Sequence, residues 1–176
     1  MLVTRANRWG KTTMLSMVKT FFDVMRTKEE KSHITQLFSK LKIGKESKKN
    51  YLDEIANSPI LFVTFSCISD SYQGFIENMK IMLRELFNEH YYLCVEMKKQ
   101  KSKTYDKRLE ALIYKYEKMC GNEDEEPNDD DLKTSLTFLV NLLYDHFKKK
   151  KVIVLMNKID NSILRLIDDN IESILE

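Results

Sequence analysis

Turn-forming residues are scarce in this sequence. Four glycines and two prolines among 176 residues fall well below the roughly 12% that the pair ordinarily contributes, which predicts long helices and few tight turns. Cysteine is scarce too. Cys67, Cys94 and Cys120 are odd in number, widely spaced and lack any Cys-x-x-Cys pairing, so neither a disulfide framework nor a zinc site is signalled and free thiols are expected. No stretch approaches the roughly 18 consecutive apolar residues of a membrane span. Arg5, Arg8 and Lys11 stand where a signal peptide needs its apolar region, so the expected setting is cytoplasmic, without membrane contact. His33, His90 and His146 show no metal-ligand spacing and no paired nucleophile, and read as surface histidines.

What is present is a globular composition, 43% hydrophobic and 32% charged, and the length predicts one domain over residues 1–176. The net charge of +2 conceals a split: residues 1–120 carry 22 basic and 14 acidic side chains, residues 121–176 carry 7 and 13. An anionic ligand is expected on the first part. Lys148 to Lys151 lack interleaved aromatics and read as a solvated helix end, so nucleic acid is not indicated as a partner.

Along the chain, Leu2 to Thr4 predict the end of a strand, and Met14, Met17, Val18, Phe21, Phe22 and Met25 recur at helical steps after Gly10. A short helix is expected around Ile34 to Leu41. Pro59 to Phe65 and Val152 to Met156 are compact apolar runs that predict buried strands. Between them the apolar set Phe75, Met79, Met82, Leu83, Leu86, Phe87 and then Leu109, Leu112, Ile113, Tyr116 predicts two helices or one broken helix. Residues 98–103 are expected as a basic linker, and 121–131, with seven carboxylates in eleven residues, as a mobile acidic surface loop. Asp130 and Asp131 open a further helix, and Ile163 to Ile174 carry a last one. Strands alternating with helices predict an α/β layer fold with a parallel sheet.

Gly10-Lys11-Thr12 lies between a predicted strand and an amphipathic helix, the context in which this tripeptide binds phosphate. Backbone N–H groups at the helix start would cradle the anion, Lys11 would reach the β and γ phosphates, and the Thr12 hydroxyl would hold Mg²⁺. Arg5 stands where the usual eight-residue pattern has its first glycine. The stretch Thr4-Arg5-Ala6-Asn7-Arg8-Trp9-Gly10-Lys11-Thr12, continuing through Met14-Leu15-Ser16-Met17 to Phe21-Phe22-Asp23, resembles the predicted AAA-ATPase-like family, whose phosphate loop reads T-R-P-R-R-F-G-K-S and has arginine in that first position. Leu37 to Ile43, Pro59 to Phe65, and Leu142-Leu143-Tyr144 leading into Lys150 to Leu155 agree in order and spacing. Ala6, Asn7 and Trp9 depart from the family's proline, arginine and phenylalanine, and the lost proline loosens the loop entropically.

The resemblance implies a helix-rich, three-layer P-loop NTPase fold of the α/β class with a short parallel sheet of about three strands, binding ATP and Mg²⁺. Arg5, Ala6, Asn7, Arg8, Trp9, Gly10, Lys11, Thr12 and Thr13 would hold the nucleotide. Thr12 would hold the metal directly and Asn157 through water. After its second apolar strand the family reads I-D-E-Y-D, where this chain reads Met156-Asn157-Lys158-Ile159-Asp160. Asn157 loses the charge of the first acid, and Lys158 occupies the general-base position, so weak or absent hydrolysis is expected.

Two alternatives stay open. Asn157-Lys158-Ile159-Asp160 also spells the N-K-x-D guanine motif, although no D-x-x-G accompanies it and Asp70 to Gly74 is one residue too long. The chain could also be a nucleotide-independent interaction remnant with a protein partner or a second copy of itself. The sequence ends one helix after Val152 to Met156, so amino-terminal and carboxy-terminal parts of the family domain are expected to be missing, with marginal stability and self-association as consequences.

Overall fold

A computed structural model of the chain describes residues 10–24, 27–45, 51–65, 71–102 and 106–158. The expected strand at Leu2 to Thr4, the helix at Ile163 to Ile174, Met25 and Cys67 lie outside these residues. Among the described residues the order is α1 (Lys11–Phe22), α2 (Lys28–Ser39), two short 3-10 turns, β1 (Ile60–Thr64), α3 (Tyr72–Glu89), α4 (Tyr92–Lys101), α5 (Lys107–Cys120), α6 (Asp129–His146) and β2 (Ile153–Asn157). The fold is α/β, helix-rich, with a short parallel sheet. No helix among the described residues is long and apolar enough to cross a membrane.

Local chemistry sets most helix starts. Thr27 and Glu30 form a reciprocal capping box on α2, as Asn128 and Asp131 do on α6. The Ser71 hydroxyl accepts from the Gly74 N–H at 3.1 Å, and the Asp106 carboxylate accepts from the Arg108 N–H at 2.8 Å. Each such cap satisfies a first-turn donor that has no partner within its helix. Helix α5 stops at Gly121, which takes φ 76°. There the Gly121 and Asn122 N–H groups turn back onto the carbonyls of Lys118 and Glu117 at 3.1 and 3.0 Å, a left-handed stop suited to glycine.

The two strands pair in parallel, from Ile60 opposite Ile153 to Thr64 opposite Asn157. Helices α3 to α6 form the crossover that a parallel pair requires. Ahead of β1, the Ala56 and Ser58 N–H groups donate to the carbonyls of Phe21 and Phe22, both at 3.0 Å, and Asp23 bridges Ser58. The end of α1 is thereby held beside the start of β1, while α1 also packs against β2.

Two apolar clusters support this frame. The larger joins Leu61 and Val63 of β1 to Leu83, Leu86 and Phe87 of α3, Leu93, Cys94 and Met97 of α4, Tyr116 of α5 and Leu139 of α6, with Met79 and Met82 packed against it. The smaller gathers Phe21, Ile34, Phe38 and Ile55. On α1 the buried anchor is Phe21, whereas Met17, expected on the buried face, is 47% exposed.

Several expectations need correction. Among the described residues the stretch from Phe75 to Tyr116 falls on three helices, α3, α4 and α5. Lys98 to Lys101 are the last turn of α4 and not a linker, because Lys98 pairs with Glu117, Lys101 lies 2.6 Å from Glu110, and cations favour a helix C-terminus. Residues 121–131 are largely exposed but anchored. Pro127 is buried, Glu125 accepts from Lys118 and Tyr114, Glu126 accepts from Lys80 at 2.9 Å, and Asp129 to Asp131 already form the first turn of α6. His90 and His146 are half-buried, the former beside the Tyr92 hydroxyl and the latter 2.8 Å from Glu96.

Candidate functional site

Gly10 enters α1 with φ 72°, a left-handed conformation that glycine adopts without a Cβ penalty. Its carbonyl already accepts the Met14 N–H at 2.9 Å. Among the described residues no side chain caps this end, and no acid lies in the first turn. The opening amides of α1, from Lys11 to Thr13, have no acceptor within the helix and stand at the positive end of its dipole, a geometry suited to an anion. Lys11 is half-buried, and Thr12 and Thr13 are exposed.

Across from this turn stands the end of β2. Asn157 is 5% exposed, and its backbone carbonyl accepts the Phe65 N–H at 3.0 Å, which fixes it at the carboxyl edge of the sheet. The Thr12 hydroxyl donates to Asn157 Oδ1 at 3.4 Å. Two motifs separated by 145 residues thus touch through a hydroxyl and an amide. The following residue, Lys158, is exposed and takes φ 59°. No carboxylate among the described residues pairs with its ammonium. Of the expected site residues, Gly10, Lys11, Thr12, Thr13, Asn157 and Lys158 fall at this one corner. Arg5, Ala6, Asn7, Arg8, Trp9, Ile159 and Asp160 lie outside the described residues.

A family model described as Predicted AAA-ATPase matches residues 1–175. The chain belongs to that family. No curated protein and no solved structure gives a significant match. Membership in the predicted AAA-ATPase family supports an ATPase-like assignment at a general level and implies a nucleotide, together with Mg²⁺, as its ligands.

The residues at the corner fit these two ligands unequally. The start of α1 with Lys11 suits phosphate oxygens. Mg²⁺ is ordinarily held through one or two carboxylates plus substrate phosphates, but the donor pair here is a hydroxyl and an amide, both neutral and bonded to each other. No metal-binding group of three or more His, Cys, Asp or Glu occurs among the described residues. Asp23 sits at the other end of α1, about 17 Å along the helix axis. The described side chains therefore do not make a dedicated Mg²⁺ site.

A buried charge lies in a cluster that no sequence motif announced. Glu117, on α5, receives hydrogen bonds from Lys98, Asn122 and the Tyr91 hydroxyl, and the Cys94 thiol is 3.4 Å away. Burial opposes ionisation of this carboxyl, but the donors around it prevail and hold it down at about 2. Burial, reinforced by Glu117, pushes the Cys94 thiol up to about 11 and the Cys120 thiol up to about 12. Both thiols are therefore poor nucleophiles. The cluster fastens α4 to α5 and is structural.

Proposed function

We propose that this predicted AAA-ATPase domain is a P-loop module that binds ATP at the start of α1 and hydrolyses it slowly or not at all. The contact between Thr12 and Asn157 carries the reading, because it joins the phosphate-binding tripeptide to the end of the strand that precedes the second motif. In this reading the opening amides of α1 and Lys11 take phosphate oxygens, with Arg5 to Trp9 completing the loop. Asn157 orients the Thr12 hydroxyl. Lys158, a cation in the general-base position, cannot accept a proton from an attacking water.

Titration with a fluorescent ATP analogue tests this. Saturable binding is expected, weakened roughly 10- to 100-fold in Lys11→Ala, since a charge-assisted contact to phosphate contributes about 1.5–3 kcal/mol. Unlabelled GTP should compete no better than ATP. Equal affinity in the Lys11 variant would overturn the site, and a GTP preference abolished by Asp160→Ala would reassign the base.

A further inference from the structure

We infer that this chain binds its nucleotide without requiring a divalent cation, with the ammonium of Lys158 supplying the positive charge that a metal supplies elsewhere. The inference rests on the nucleotide-binding reading above and concerns how that same site neutralises phosphate.

In a P-loop site the metal bridges β- and γ-phosphate oxygens, and an acid on the second motif helps to hold it. Three observations place a different arrangement here. First, the side chain at the end of β2 is the neutral amide of Asn157, buried to 5% exposure and engaged by the Thr12 hydroxyl. A buried amide bonded to a hydroxyl is stable with no metal between them, whereas a buried carboxylate there would need a compensating cation. Second, the next residue is a lysine whose ammonium is exposed and without an ion pair among the described residues, on a left-handed backbone turn directly after the strand. Adjacent Cα atoms lie about 3.8 Å apart, so the flexible four-carbon stem of Lys158 starts beside Asn157 and can turn towards an anion at α1. Third, the first turn of α1 contains no acid, so no carboxylate on that turn competes for the ammonium.

Relative to the family's paired acids, Asn157 and Lys158 change the local charge from −2 to +1. The paired acids repel a bare triphosphate and recruit a divalent cation. This pair attracts the triphosphate and has no charge with which to hold a divalent cation. Lysine binds phosphate as a point charge, which requires neither octahedral geometry nor bound water.

The experiment measures affinity for a fluorescent ATP analogue in excess EDTA and in millimolar Mg²⁺, for the unmodified chain, Lys158→Gln and Asn157→Asp. Folding is checked by circular dichroism. The unmodified chain should bind within about threefold of the same affinity in the two buffers, a difference below 1 kcal/mol. Lys158→Gln should lose about tenfold or more in EDTA, and Mg²⁺ should restore part of the loss. Asn157→Asp should make binding depend on Mg²⁺. Binding by the unmodified chain only when Mg²⁺ is present would overturn this inference and leave the nucleotide site standing. Unchanged EDTA affinity in Lys158→Gln would overturn the role of Lys158. Absence of saturable binding in both buffers would overturn the nucleotide reading itself, and this inference with it.

Discussion

The hydroxyl of Tyr116 donates to the backbone carbonyl of Phe87 at 2.9 Å, and both side chains are completely buried. The same carbonyl accepts the His90 N–H at 3.1 Å, so the end of α3 is tied at one oxygen both to its own C-terminal turn and to α5. Burial pushes the Tyr116 phenol up from its ordinary range, keeping the donor protonated. Tyr116→Phe should lower stability by about 1 kcal/mol, the net worth of one hydrogen bond whose acceptor keeps a second donor. The urea midpoint should fall with an unchanged m-value, and an unmoved midpoint would show that the ring alone matters.

Glu117 gives the fold an acid-sensitive joint. Its carboxyl sits at about 2 when folded against an ordinary value of 4.5, so the unfolded chain takes up the proton first as pH falls. The stabilisation is complete above about 4.5 and fades towards about 2. Glu117→Gln should cost about 1.5–3 kcal/mol at neutral pH, the range for hydrogen bonds to a charged group. It should also flatten the pH dependence of the urea midpoint across that acid window. A parallel curve for the variant would place the acid sensitivity elsewhere.

Gly10 and Gly121 share a left-handed backbone but not surroundings. Among the described residues a Cβ on Gly10 meets nothing within 4 Å, whereas one on Gly121 comes 2.7 Å from Arg84 Nε. Gly10→Ala should therefore cost only the conformational penalty, about 1–2 kcal/mol, and should weaken nucleotide binding because the start of α1 shifts. Gly121→Ala should carry the same penalty plus a small displacement of the exposed Arg84 side chain, with nucleotide binding unchanged. Thermal unfolding and nucleotide titration of both variants separate the two effects.

Phosphate release from ATP should stay near background in the unmodified chain, since Lys158 offers no base. Restoring both acids with Asn157→Asp and Lys158→Glu should raise turnover, for which a positioned general base contributes about 10²- to 10⁴-fold. Brisk turnover without the substitutions would contradict the proposed loss of hydrolysis.

Periodicity and apolar runs made both described strands and most helices legible in the sequence. Pro59 to Phe65 and Val152 to Met156 fall within a residue of the paired strands; β1 is mostly buried as expected, whereas Val154 and Met156 of β2 are exposed. The linker expected at residues 98–103 failed for a different reason. Lysines that look like a solvated breaker in one dimension are helix-compatible residues whose partners, Glu117 and Glu110, come from the next helix. No local pattern encodes that pairing. The corner formed by Gly10, Lys11, Thr12, Asn157 and Lys158 was legible only as two motifs, and their contact is a property of the parallel crossover between them.

The two sides of that corner draw on different apolar clusters. Helix α1 is rooted in the smaller one through Phe21, while β2 is stitched to β1, whose Leu61 and Val63 belong to the larger. On the proposed function, a polyanion seated between the start of α1 and the end of β2 would add a further tie between elements rooted in the two clusters. Its binding would then raise the resistance of the domain to unfolding. Occupancy would in that case be expressed as stability, without any bond in the nucleotide being broken.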